Sequence, residues 1–161
     1  MTVPTESRFS VWKRWADREQ LDKLAYPGVY VLAVSDAPLD GKLFSWRQDI
    51  VYVGMSNAVG GLAGRLRQFD LTISGTRNAH GGADRFRFKY RNYKRVIERL
   101  FVAVRAVTCD VRSNSPRDLR LMGKVAQLEF LCLARFVEAF DVMPQFNDKS
   151  RSPKYSRTVR R

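Results

Sequence analysis

The sequence predicts an α/β fold: a small three-stranded, partly antiparallel sheet flanked by helices, with an extra N-terminal helix. Three observations carry this. Three short β-branched and aromatic runs, "GVYVLAVSD" (28–36), "DIVYVGMSN" (49–57) and "LFVAVRAVT" (100–108), read as buried strands. Segments with helical spacing of apolar residues lie between and after them. Finally, 161 residues with 45% hydrophobic and 12% aromatic content are enough for one domain with a real core.

Each element has its own signal. "RFSVWKRWADREQLDKLA" (8–25) carries Val11, Trp15, Leu21 and Leu24 at loosely helical spacing, and Pro27-Gly28 would stop that helix. The first two strands form a hairpin whose long connection (37–48) contains the turn residues "APLDGK" and reads as a surface insertion. "LAGRLRQFDLTI" places Leu62, Leu66 and Phe69 on one helical face. "RFRFKYRNYKR" (85–95) alternates in its first half, so it is expected to extend, with basic groups on one face and aromatics on the other. "SNSPRDLRLMGKVAQLEFLCLARFVEAF" is a long helix with Ser115 as N-cap and Pro116 at its first position. The closing "DKSRSPKYSRTVRR" reads as a flexible basic tail. The expected organisation is a helical extension (1–26), one domain (27–147) and a tail (148–161).

Charge narrows the partner. With 29 Lys and Arg against 16 Asp and Glu, the net charge of +13 creates a field that attracts polyanions, nucleic acid first among them. Arg67, Arg85, Arg87, Lys89, Arg91, Lys94 and Arg95 are the candidate backbone contacts, since Arg and Lys neutralise phosphates. Cys109 and Cys132 have neither metal spacing nor a disulfide pattern, which fits a reducing, intracellular setting (cytoplasm or nucleoid). "MTVPTESRFSVWKRWADREQ" has no apolar core of a signal peptide, and no apolar run reaches the roughly 18 residues of a membrane span, so no membrane association is expected.

One residue stands out. Glu129 lies in "VAQLEFLCLARF" on the side of the helix opposite Lys124, Gln127, Arg135 and Glu138, with Val125, Ala126, Cys132 and Leu133 as its helical neighbours. A carboxylate there needs a partner from elsewhere in the fold, or its pKa rises. A buried ion pair with Arg65 is the structural alternative.

Taken together, Gly28-Val29-Tyr30, Tyr52-Val53-Gly54, Arg65 early on the next helix, Glu129 on the later one and Asn147 in "MPQFN" resemble the GIY-YIG nuclease family over residues 27–147. The resemblance implies a metal-dependent endonuclease that hydrolyses DNA phosphodiesters by water attack. Glu129 would hold a single Mg²⁺ or Mn²⁺, Tyr30 would act as general base, and Arg65 would stabilise the transition state. Tyr52 would position water or phosphate and Asn147 would orient the site. Arg67 competes with Arg65 for its role. Many members place a histidine or tyrosine one turn after the arginine, where this chain has Phe69. His80, in "NAHGGAD", is a candidate to supply that contact, or else an exposed loop residue. A catalytically weak or inactive nucleic-acid-binding module is the alternative function, and a dimer or a recognition partner is left open.

Overall fold

A computed structural model describes residues 8–158. The sheet has four strands, all antiparallel: β1 (Lys13–Arg14), β2 (Gly28–Val34), β3 (Ile50–Ser56) and β4 (Leu100–Ala106), in the order β1-β4-β2-β3. The α/β class holds, with one strand more than the sequence predicts. The helices are α1 (Gly61–Ile73), α2 (Gly81–Lys89), α3 (Tyr93–Val96) and α4 (Pro116–Phe140).

Strand alternation sorts the core into two layers. Tyr30, Leu32, Val102 and Val104 face one side and pack against Leu62, Leu66 and Phe69 of α1 and Phe86 of α2. Val29, Val31, Phe101 and Ala103 face the other and pack against Leu128, Cys132 and Phe136 of α4. Both faces of the sheet are covered, which is why its strands read as continuous apolar runs.

The expected N-terminal helix is absent. Trp12 and Trp15 are both fully buried, but Trp12 joins the α4 layer and Trp15 the α1 layer. Residues three apart in a helix share a face, so this segment instead runs extended through β1 and wraps the edge of β4. Ser10 adds to the pairing, its N–H donating to the Val104 carbonyl at 2.8 Å. A free edge is thereby covered, and a short 3₁₀ helix (Trp15–Gln20) follows.

The basic segment is helical, not extended. Ala83 and Phe86 of α2 are buried at helical spacing, while Phe88 is only partly covered. Alternation in "RFRFKY" misleads because only one of its first two aromatics enters the core. The 37–48 connection is also not a surface insertion: Leu39 and Phe44 are buried beside Trp12.

Nor is the tail free. Residues 152–158 lie on α2, where the Ser156 N–H and hydroxyl donate to the buried Asp84 carboxylate at 3.1 and 2.6 Å. Tyr155 stacks on the Arg87 guanidinium at 3.9 Å. Residues 159–161 lie outside the described range. A chain ending at Arg151 loses both hydrogen bonds to the Asp84 carboxylate and should lose about 2–3 kcal/mol in urea unfolding. A tail that does not pack would leave the midpoint unchanged.

Candidate functional site

The site is built around a tyrosine and a glycine paired across two strands. Tyr30 on β2 lies opposite Gly54 on β3. A Cβ at Gly54 would collide with the ring carbon and hydroxyl of Tyr30. The glycine is therefore where the Tyr30 ring lies flat over the neighbouring strand. Tyr52, two residues along β3, shares that face, with ring centroids 6.0 Å apart.

Asn147 fixes β3 from outside. Its Oδ1 accepts from the Val53 N–H at 2.9 Å and its Nδ2 donates to the Val53 carbonyl at 2.8 Å. These two bonds occupy a free strand edge and hold the residue between Tyr52 and Gly54. Both polar groups of Asn147 are thus engaged with backbone, so it positions the strand.

His80 is buried, not an exposed loop residue. It caps α2, its Nδ1 accepting from the Ala83 N–H at 3.2 Å. Its Nε2 lies 2.7 Å from the Tyr30 hydroxyl. Burial pushes its pKa down to about 3, with Arg65 contributing, so the ring is neutral at pH 7. A neutral ring whose Nδ1 accepts carries its proton on Nε2. His80 therefore donates to the Tyr30 oxygen and does not take its proton. The imidazole also packs edge-on against Phe69, at 5.1 Å between centroids.

The two tyrosines differ. Tyr30 exposes no surface, and burial drives its pKa well above the ordinary range. Tyr52 keeps partial exposure. Burial raises it as well, but Arg65, the Tyr30 hydroxyl and Arg85 pull it back. Tyr52 is thus the less buried of the two, and Arg65 acts on both, by charge on Tyr52 and by charge and a hydrogen bond on Tyr30.

Arg65 and Glu129 complete the set. Leu62, Leu66, Phe69 and Ile73 anchor α1, which leaves Arg65 on the flank of the buried stripe, half-buried, with a guanidinium N–H donating to Gln68 at 2.8 Å. Glu129 is also half-buried, on the flank of the α4 row formed by Val125, Leu128, Cys132 and Phe136. Because α4 packs on the sheet face opposite the tyrosines, Glu129 does not meet them across the core. It acts on both tyrosines and on Arg65 from the flank. Burial raises the Glu129 pKa, and Arg65 draws it down.

Arg65 borders a cleft of about 380 Å³ formed with Gly60, Gly61, Gly64, Gln68 and the end of β3. The first-turn N–H groups of α1 are spent on backbone: Gly61 on Ala58, Leu62 on Tyr26, Ala63 on Leu24 and Gly64 on Gly60. Positive potential in the cleft therefore comes from Arg65 and not from helix amides. Asn57, which the sequence reading missed, donates to the Met122 carbonyl at 3.0 Å and ties the cleft to α4. Its signal was faint, an ordinary polar residue at a strand end.

Of the basic candidates, Arg85 reaches the site, since it acts on Tyr52, and its Nε is buried with no partner among the described residues. Arg67 is exposed and lines a separate recess with Arg18 and Glu19. Arg87 and Arg91 stack on Tyr155, and Lys89 donates to Gln145 at 2.8 Å. Lys94 and Arg95 lie exposed on α3. No helix is long and apolar enough to cross a membrane among the described residues. No protein-family profile, curated protein or solved structure matches the chain.

The low His80 pKa sets a pH dependence. An ordinary histidine binds its proton near 6.5, and His80 binds it at about 3 in the folded chain. The unfolded chain therefore takes up a proton first, and the stability held above pH 6.5 falls progressively down to about 3. His80→Asn keeps a capping side chain without the titration. It should flatten this acid limb in urea unfolding measured across pH, and an unchanged limb would contradict the assignment.

Proposed function

We propose that the chain is a divalent-metal-dependent endonuclease of the GIY-YIG type, acting on the phosphodiester backbone of DNA. One observation carries the reading: Tyr52, Arg65 and Glu129, distant in sequence and drawn from β3, α1 and α4, act on one another electrostatically, and Arg65 borders an open cleft. A structural ion-pair network would neutralise its carboxylate. Here Glu129 stays above its ordinary pKa, a strained state typical of functional sites.

The donor set fits a single hard cation. No group of three or more His, Cys, Asp or Glu side chains converges among the described residues. One carboxylate, with water and phosphate oxygens completing the shell, suits Mg²⁺ or Mn²⁺. Such an ion would supply charge neutralisation at a phosphate oxygen. Arg65 would face the same developing charge from α1. Tyr52 takes or gives the proton at its Oη. Tyr30, with the His80 Nε2–H on its oxygen, supports Tyr52 from behind. This exchanges the roles that the resemblance implies for the two tyrosines. The arginine and lysine side chains of α2 and α3, with Lys154 near Arg85 at Gly81, offer backbone contacts beside the cleft.

Supercoiled plasmid with Mg²⁺ or Mn²⁺ tests this. Glu129→Gln, Arg65→Ala and Tyr52→Phe should each lower nicking about 100-fold or more. Tyr30→Phe should cost less, about tenfold. Binding without nicking, unaffected by Glu129→Gln, would leave the binding-module reading.

A second expectation concerns stability. The folded carboxyl of Glu129 holds its proton more tightly than the ordinary 4.5, so its contribution to stability declines as pH rises above that value. Glu129→Gln removes the penalty and should raise the melting temperature at pH 7 while abolishing nicking. A lower melting temperature would mark Glu129 as structural.

A further inference from the structure

On α4, an apolar face with no partner in the fold runs beside the cleft. Leu119, Phe130 and Val137 are 50, 71 and 36% exposed. Counting about 100° per residue, they fall within about 20° of one another. The row that packs on the sheet, Val125 to Phe136, is centred about 140° away. Gly123, Ala126 and Ala134 lie between the large residues and are also exposed. A lone surface leucine needs no explanation, but an ordered stripe about 27 Å long does.

We infer that this face pairs with the α4 of a second copy, antiparallel, about a two-fold axis near Leu128. The sequence is complementary to its own reverse there. Ala126 meets Phe130 of the partner subunit, and Gly123 meets Leu133 of the partner subunit, each a small residue against a large one. Leu119 meets Val137 of the partner subunit at the ends. Charges agree with the same register: Arg120 and Glu138 occupy one flank, about 90° from the stripe. Antiparallel pairing sets Arg120 beside Glu138 of the partner subunit, and the two-fold repeats the contact. Parallel pairing would set this flank against the opposite flank of the partner and break the contact.

Glu129 lies about 90° to the other side of the stripe, so pairing leaves it uncovered. The two-fold turns both clefts toward one face of the pair. A contact this narrow belongs to the weak, transient class, so dimerisation depends on concentration.

Sedimentation velocity over a concentration series reads it. Wild type should pass from monomer to dimer. Phe130→Glu, at a solvent-exposed position, should weaken association about 30-fold or more with an unchanged circular-dichroism spectrum. Arg120→Glu and Glu138→Arg should each weaken it about fivefold, and the double reversal should restore it. A monomer at every concentration, with the stripe then serving another protein, would overturn the inference. So would a double reversal that fails to restore pairing.

Discussion

The site depends on where the Tyr30 ring can lie. It crosses β2 onto β3 only because Gly54 has no Cβ, and its hydroxyl is held there by His80 at 2.7 Å. A phenol with no exposed surface needs a partner for its oxygen, and the neutral imidazole provides one at no cost in charge. The same histidine caps α2. Moving it would disturb the helix that carries Arg85 and, through Asp84, anchors the C-terminal segment. Strand register, helix cap and tail are thus linked through one ring.

Around that fixed point the electrostatics are unbalanced by design of the fold. Arg65 is the main counter-charge to the tyrosines and to Glu129, and its hydrogen bonding is divided between Gln68 and Tyr30. Two hydroxyls and a carboxylate with raised pKa values share the Arg65 guanidinium, and Arg85 reaches Tyr52 alone. Arrangements of this kind cost stability, and the cation and phosphate of the proposed function would relieve the strain. The sheet edge makes it possible, because β3 is the outer strand and helices from both layers approach it.

Much of this was legible in the sequence, for physical reasons. β2, β3, β4 and α1 declare themselves through strong periodicity, and Ser115-Pro116 marks the start of α4. The tripeptides, Arg65 and Glu129 could be picked out by residue type. What could not be read were choices made by tertiary packing. Trp12 and Trp15 take opposite faces of the sheet, which no helical count anticipates. α2 begins on a histidine, outside the usual capping residues. The roles of the tyrosines turned on burial, and burial is a property of the assembled fold.

The chain has a single histidine, so ¹⁵N spectra of histidine-labelled protein report on His80 alone. The expected result is a neutral ring protonated on Nε2, unchanged from neutral pH down to about pH 4. Titration near the ordinary 6.5, or a proton on Nδ1, would contradict it.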